Sequence, residues 1–293
     1  MTEHSVWRLS LAHKIAPTFT ANPQVEACFV FGSAALGLAD QYSDLELAFI
    51  WSQLPSPEAL QATAQRVGVK GWEIEPYGEA QQAWLEQFYL YGMKVEAGRW
   101  AQETIDHIVT DVVERYDVSQ KGLLFEKQAT ASHLQRAVVL YGEDRIKAWQ
   151  NRLALYPEAL AVAMVQKQLN FRPFDGQHIL TERLELPLLY ENNCALVRRL
   201  LSVLFGLNHI YHPGFKWTRY FVDEMSIKPP QFWARLEQVF QADAASGTQA
   251  LRQLSEQTFD LVEAPLPQVE LKQQRETFNR LYPQWQLPLG DSP

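Results

Sequence analysis

The sequence predicts an α+β protein, with an N-terminal domain built on a mixed sheet with helices and an all-helical bundle domain after it. Three observations predict this class. Short, aromatic-rich runs bounded by Gly, Ser and Asp, which are typical of strands, lie in the first part of the chain. From about residue 102 onward, apolar residues recur at helical spacing. The chain has 293 residues, of which 47% are hydrophobic, and this is enough for two domains with separate cores.

The N-terminal domain is predicted to alternate strands and helices. A helix is predicted from Pro57 to about Val67, because Ser56 is a favourable N-cap and proline fits the first helical position. The segment Gly-Ser-Ala-Ala-Leu-Gly lies between the first two strands. Strands are predicted over residues 25–31, 44–51, 71–77 and 91–98.

The second half of the chain is predicted to be helical, because three sets of apolar residues each mark one helix face. The sets are Leu196, Val197, Leu200, Leu201 and Leu204; Phe232, Leu236, Val239 and Phe240; and Leu251, Leu254, Leu261 and Val262. We place the domain boundary near residue 120, which gives a first domain of residues 1–120 and a helical second domain of residues 121–293.

Composition and charge exclude several classes of protein. The 26 Lys and Arg residues and 34 Asp and Glu residues give a net charge of −8, which disfavours a long nucleic acid as the main partner. Cys28 and Cys194 are the only cysteines and lie far apart, so we predict neither a disulfide framework nor a cysteine zinc site. We find no signal peptide and no run near the ~18 apolar residues of a membrane span, and therefore expect a cytoplasmic protein that does not bind a membrane.

The residues that indicate a function lie where the first predicted strand ends and the second begins. Gly32, at the end of a strand, leaves room for a phosphate to approach the backbone, and Ser33 opens a short helix whose free N–H groups favour an anion. Ten residues separate Ser33 from Asp44, and Glu46 lies two residues further on. Residues two apart on a strand point to the same face, about 6.6 Å apart along the backbone. Asp44 and Glu46 are therefore predicted to face one site.

Two carboxylates that face a polyphosphate require a cation between them. Magnesium prefers oxygen ligands and is commonly held by one or two carboxylates together with substrate phosphates. We therefore predict a pair of Mg²⁺ ions on Asp44 and Glu46, and a polyphosphate on Gly32 and Ser33. Each feature alone is typical of a turn or a solvated strand, but their order along the chain favours a functional site.

The run Gly32-Ser33 followed by Ser43-Asp44-Leu45-Glu46 resembles the signature of the DNA polymerase β-like nucleotidyltransferase superfamily. Within that superfamily, the sequence is most similar to aminoglycoside nucleotidyltransferases and to their poorly characterised relatives with a helical C-terminal domain. Weaker similarities lie at residues 95–96, 140–142 and 211–217. One departure is Glu46, where Asp is commoner in the superfamily. The resemblance implies a nucleotidyltransferase fold for residues 1–120 and a helical bundle after it.

The resemblance also implies a third carboxylate on a later strand, which holds metal or deprotonates the attacking hydroxyl. We choose Glu96, because it lies in an alternating segment that a strand would place beside Asp44 and Glu46. Glu73 and Glu75 are the alternatives for this role. The alternative without a function is that Glu96 is simply an exposed acidic residue on a strand.

The resemblance further implies a lysine of the helical domain that reaches the triphosphate, and Lys216 matches that position. Its alternative is a surface lysine beside Trp217. Arg198 or Arg199 is a second candidate to hold phosphate, with a surface ion pair as the alternative. Ser43 resembles the second serine of the motif, and either contacts a phosphate or caps its loop.

Motifs of other chemistries are absent from the sequence. There is no Gly-x-Ser-x-Gly elbow, no Gly-x-x-x-x-Gly-Lys-Ser/Thr loop and no His-Glu-x-x-His pair, so the corresponding hydrolases, ATPases and zinc proteases are excluded. His209 and His212 are three residues apart, and we interpret them as structural residues rather than metal ligands.

Together with these residues, the resemblance implies an enzyme that transfers a nucleoside monophosphate from a nucleoside triphosphate, ATP first, to a hydroxyl of a small polar acceptor and releases pyrophosphate. An aminoglycoside-like acceptor is the first hypothesis, because a chain of net charge −8 attracts a polycation. The alternatives are transfer to a protein or an RNA end, and a nucleotide-binding regulatory module without turnover. The presence of Asp44, Glu46 and Glu96 favours the enzyme.

Overall fold

The computed structural model describes residues 1–79, 82–122 and 125–285. The chain divides into two compact units, Met1–Tyr156 and Pro157–Pro293. The first unit holds a mixed sheet with helices and the second is helical, as the sequence predicts. Within the described residues, no helix combines the length and the apolar character that a membrane crossing requires.

The sheet of the first unit consists of β1 (Val25–Phe31), β2 (Leu45–Trp51), β3 (Lys70–Ile74), β4 (Ala83–Leu90), β5 (Met93–Ala101) and β6 (Val138–Tyr141). Across the sheet, the strands lie in the order β3-β4-β5-β2-β1-β6. Among these strands, β2 and β5 are the parallel pair and the other neighbours are antiparallel. The parallel pair brings the start of β2 beside the start of β5.

Two of these strands, β4 and β6, are not predicted from the sequence. In β4, the charged Glu86 lies on the buried face, so apolar and polar residues do not alternate cleanly. β6 is a strand of four residues within a stretch expected to be helical, and it pairs with β1 through Val139 and Phe29. The boundary between the units consequently lies after Tyr156 rather than near residue 120, because β6 and the helix that follows it pack on β1.

The helices of the first unit are α1 (Glu3–Phe19), α2 (Gly32–Ala35), α3 (Pro57–Val67), α4 (Gln102–Val113), α5 (Glu126–Gln135) and α6 (Glu143–Leu153). α3 begins as predicted, since Ser56 accepts a hydrogen bond from the Ala59 N–H and Pro57 is the first helical residue. α1 is not predicted by the sequence pattern. It contributes Leu11 and Phe19 to the core that covers one face of the sheet.

That core contains a buried ion pair. The side chains of Arg99 and Glu86 are 1% and 0% exposed. Arg99 Nε donates to Glu86 Oε1 at 2.8 Å, a second guanidinium nitrogen donates to the same oxygen, and Trp72 Nε1 donates to Oε2 at 2.7 Å. The guanidinium carbon lies 3.7 Å from the centroid of the Phe49 ring. The charges are therefore compensated inside an otherwise apolar core.

The second unit consists of α7 (Glu158–Gln168), α8 (Asp175–Glu182), α9 (Leu186–Leu207), α10 (Thr218–Glu224), α11 (Phe232–Gln241), α12 (Ala244–Glu263) and α13 (Lys272–Phe278). The predicted apolar face of α9 is buried at all five positions. On α11 the prediction is wrong for Phe240, which is 41% exposed. The buried stripe of that helix runs through Leu236 and Val239, and Phe240 lies about 100° further round the helix than Val239.

Candidate functional site

The ends of β1, β2 and β5 place a row of side chains on one face of the sheet. Phe31, the last residue of β1, is paired with Glu46 of β2, and Glu46 is paired with Glu96 of the parallel β5. Directly paired residues of neighbouring strands point to the same face, and the strands lie about 4.8 Å apart. Glu46 and Glu96, both predicted site residues, are therefore adjacent carboxylates.

Asp44 lies just before the first residue of β2, near Lys94. Lys94 Nζ forms an ion pair with Glu96 Oε1 at 2.5 Å. The hydrogen bond to Glu96, and the negative charges of Glu96 and Asp44, raise the pKa of Lys94. The Lys94 ammonium group therefore interacts electrostatically with the carboxylates of both Glu96 and Asp44. The alternation that predicts Glu96 on this face also places Lys94 there, and the sequence interpretation missed this lysine.

The Gly-Ser turn contacts Glu46 directly. Gly32 has a φ of +67°, a conformation that favours glycine, and a Cβ atom at this position would lie 1.6 Å from Glu46 Oε2. The Ser33 backbone N–H donates to the same carboxylate oxygen at 3.3 Å. Ser33 Oγ is buried and has no hydrogen-bond partner within the described residues. The turn thus already binds one anionic oxygen and keeps a further polar atom unsatisfied.

We expect Gly32→Ala to disturb this turn mainly through Glu46. Alanine in the left-handed region costs about 1–2 kcal/mol, and the added Cβ also forces the Glu46 carboxylate to move. Gly68 is the matched control, because its φ is +77° and a Cβ there would meet nothing within 4 Å. Urea unfolding should give similar stability losses for both alanine variants, whereas only Gly32→Ala should weaken ATP binding. Equal ATP binding by the two variants would contradict the role assigned to the turn.

The carboxylates of this edge have the chemistry that Mg²⁺ prefers, because Asp44, Glu46 and Glu96 offer only oxygen donors. In the described part of the chain, no three Asp, Glu, His or Cys side chains already converge as a metal-binding group. Glu46 accepts from the Ser33 N–H and Glu96 pairs with the Lys94 ammonium. The residues therefore fit magnesium in the kind of donor atom that they offer, and holding an ion would require the two glutamates to turn away from those partners.

Glu73 lies on the same face of the sheet as Glu96, but on the edge strand β3. Gln87 of β4 is paired with Glu96, and Glu73 of β3 is paired with Gln87. Two strand spacings, about 10 Å, therefore separate the backbones of Glu73 and Glu96. Glu73, Glu75 and Glu96 line one groove of about 180 Å³, but of these three Glu96 is the one paired with Glu46. The register favours Glu96 as the third carboxylate.

Ser43 uses its hydroxyl within its own loop. The hydroxyl donates to Asp40 Oδ1 at 2.9 Å and accepts from the Asp40 N–H at 3.0 Å. The Ser43 hydroxyl and the Tyr42 N–H lower the pKa of Asp40. Buried Arg8 donates to the Asp40 carbonyl at 3.0 Å and to the Ser43 carbonyl, so it holds the loop that leads to Asp44. The sequence interpretation missed Arg8, and a phosphate contact by Ser43 stays a prediction.

The predicted cationic residues belong to the second unit. Lys216 is exposed in the turn before α10. Its neighbour Trp217 has a φ of +60°, and the indole nitrogen is buried without a partner in the described residues. Neither Arg198 nor Arg199 forms an ion pair with a described residue, so the surface-pair alternative is not seen. The nucleotide contacts of these residues stay predictions.

His212 has a structural role, as its sequence context suggests. The ring is fully buried. The Gly214 N–H donates to Nδ1 at 3.1 Å, so Nε2 carries the proton and donates to Ser202 Oγ, also at 3.1 Å. Both ring nitrogens are therefore occupied within the protein, which leaves no nitrogen for a metal.

We expect His212 to make stability fall as the pH is lowered. Burial lowers the pKa of His212 from 6.5 to about 3. Between these values the unfolded chain binds a proton that the folded chain does not, so stability is lost below pH 6.5, at about 1.4 kcal/mol per pH unit. Denaturant unfolding of wild type and His212→Gln between pH 7 and pH 4 measures this. The variant should show the shallower slope, and equal slopes would exclude His212 as the responsible group.

The chain is similar to one protein family over part of its length and to solved structures at low identity. Residues 123–218 match the model of a domain of unknown function, DUF4037. No curated protein matches the chain. The fold is similar to a solved nucleotidyltransferase-like protein from Exiguobacterium sibiricum 255-15, with 12% identity, 89% of this chain and 78% of that chain covered, and a TM-score of 0.42.

Proposed function

We propose that this protein is a metal-dependent nucleotidyltransferase, which moves a nucleoside monophosphate from a nucleoside triphosphate to a hydroxyl of a small polar acceptor. The register of Glu46 with Glu96, beside a turn that donates to Glu46, is the observation that carries the proposal. It supports a site where a polyphosphate and its cations meet. The proposed carboxylates are Asp44, Glu46 and Glu96, and the proposed nucleotide contacts are Gly32, Ser33, Ser43 and Lys216.

Asp44 and Glu46 would hold Mg²⁺ together with Glu96, as a pair of ions. When bound, the metal supplies positive charge that offsets the charge of the triphosphate and of the leaving oxygen. When Glu46 leaves the turn, the Ser33 N–H becomes available to a phosphate oxygen, and Gly32 leaves the space for it. Glu46 thus occupies, in the present structure, the place proposed for a phosphate oxygen.

The proposed reaction is an in-line displacement at the α-phosphorus of ATP. The acceptor hydroxyl oxygen bonds to the α-phosphorus, its proton passes to Glu96, and the bond from the α-phosphorus to the bridging oxygen breaks as pyrophosphate leaves. Lys94, which pairs with Glu96 in this structure, is a cation of the first unit placed beside this chemistry. Positioning and charge neutralisation supply most of the rate of such a transfer.

A hollow beside Asp44 supports a small polar acceptor. It has a volume of about 460 Å³, and its lining includes Asp44, Lys94 and the rings of Trp7, Tyr89 and Tyr91. The Trp7 and Tyr91 rings meet edge to face with their centroids 6.1 Å apart, and Tyr91 is 72% exposed. Exposed aromatic rings are suited to amines, through cation–π attraction. This chemistry favours an acceptor that carries both hydroxyl and amino groups.

An assay of the full chain with Mg²⁺, each of the four nucleoside triphosphates and a panel of aminoglycosides and other amino polyols tests the proposal. Pyrophosphate release and an acceptor mass raised by one nucleoside monophosphate are the expected results. Glu73→Gln should be as active as wild type, because Glu73 lies two strands from Glu96. Nucleotide binding without pyrophosphate release or product, across the whole panel, would favour the non-catalytic module instead.

A further inference from the structure

The second unit contains a large cavity beside α8, α9 and Tyr282. Its volume is about 720 Å³. Small-molecule sites commonly measure about 300–1,000 Å³, so the cavity is large enough for a whole metabolite rather than a single ion. Every residue that lines it belongs to the second unit, and the carboxylates proposed for nucleotidyl transfer are not among them.

Two guanidinium groups line this cavity. Arg172 and Arg199 are both in the lining, and neither forms an ion pair with a residue in the described ranges. Arg199 Nη1 donates to the Asn170 carbonyl at 3.3 Å, which anchors this side chain to the wall. Burial, together with the charge of nearby Arg172, lowers the pKa of Arg199. Two nearby like charges, one of them partly desolvated, repel each other unless an anion lies between them.

We propose that this cavity binds a phosphate monoester with a small hydroxylated body, and that Arg172 and Arg199 hold its phosphoryl group. Planar guanidinium groups match phosphate oxygens in bidentate geometry. A phosphoryl group carries about −1.5 to −2 charges at neutral pH and so balances both arginines, whereas a carboxylate balances one.

The other polar residues of the lining indicate the body of the ligand. Gln177 and Asn192 offer amide groups for hydroxyls. Tyr282 adds an aromatic ring, and its backbone N–H donates to Asp175 Oδ2 at 2.8 Å, which holds it at the cavity. Glu191 also lines the cavity and repels additional negative charge, so a ligand with several phosphates is disfavoured. A single phosphoryl group on a sugar or polyol fits this combination.

Ribose 5-phosphate is a suitable probe, with inorganic phosphate and ribonate as companions. Ribonate is a polyol of similar size that carries a carboxylate instead of a phosphate. Isothermal titration of the full chain at constant ionic strength should show binding of ribose 5-phosphate. Arg172→Gln and Arg199→Gln should each weaken it about tenfold or more, since each removes charged hydrogen bonds. Arg183→Gln is the matched control, because Arg183 is an exposed arginine just after α8, in the same unit, and does not line the cavity.

Two further results decide the assignment. Asp44→Asn, in the first unit, should leave binding of ribose 5-phosphate unchanged, which separates this cavity from the proposed nucleotide site. Arg172 is exposed, so its variant should keep the wild-type circular dichroism spectrum and melting temperature. Wild-type affinity in both arginine variants, or no binding of ribose 5-phosphate or phosphate to wild type, would overturn the site. Ribonate that binds as tightly as ribose 5-phosphate would overturn its assignment to phosphate.

Discussion

We expect Asp44→Asn to lower Mg²⁺-dependent nucleotidyl transfer by about 10²–10³-fold, the size of the loss when one preorganised electrostatic group is removed from an active site. The amide keeps the shape of the carboxylate and removes its charge, so the loss reports on metal and phosphate rather than on packing. Asp44 is half-buried and lies outside the strand, which leaves the sheet register intact. Pyrophosphate release at saturating acceptor is the measurement.

Glu73→Gln and Glu96→Gln complete this test. Both glutamates line the same groove, and they differ in whether they are paired with Glu46. As a single variant, Glu96→Gln should slow transfer by about 10²-fold or more if it removes the general base. Glu73→Gln should not slow transfer. Full activity in Asp44→Asn, or a larger loss in Glu73→Gln than in Glu96→Gln, would contradict the assignment of the carboxylates.

The second large effect concerns stability, at the buried ion pair of the sheet. We expect Glu86→Leu to lower the free energy of unfolding by about 3–5 kcal/mol, because it leaves the Arg99 guanidinium buried against Phe49 without its counter-charge. The double variant Glu86→Leu/Arg99→Met should recover much of this loss, since neither partner then remains as an unpaired buried charge. Urea unfolding of both variants is the measurement.

An exposed pair in the same unit is the control. Lys147 and Glu143 lie one helical turn apart on α6, with side chains 60% and 65% exposed. Lys147→Gln should leave the free energy of unfolding close to that of the wild type, because solvent screens such pairs. If Glu86→Leu lowered the free energy of unfolding as little as Lys147→Gln does, the buried ion pair would not have the structural role that we assign to it.

The acid pair and the Gly-Ser turn are predictable from sequence because their chemistry is local. Gly32, Ser33, Asp44 and Glu46 lie within one strand-turn-strand segment, where spacing alone indicates which side chains share a face. The position of Glu96 depends on which later strand lies beside β2, and local patterns do not encode strand pairing. The parallel pairing of β2 with β5 is what the structure adds.

Strand β4 and helix α1 are not predictable from sequence patterns, because each has a charged residue at a buried position. Glu86 breaks the alternation of β4, since its partner Arg99 comes from the next strand and is known only from the fold. Arg8 is charged and buried, so α1 shows no clean apolar stripe, yet this side chain holds the loop before Asp44. Both cases are tertiary polar contacts that periodicity cannot reveal.

The most direct test of a nucleotide site at this edge needs no knowledge of the acceptor. It is a titration of ATP into the full chain, in Mg²⁺ and in EDTA, by isothermal calorimetry. We predict binding that depends on Mg²⁺ and weakens at least about tenfold in Asp44→Asn and in Glu46→Gln, with Glu73→Gln unchanged. ATP binding of equal strength in EDTA, or in all three variants, would contradict the account.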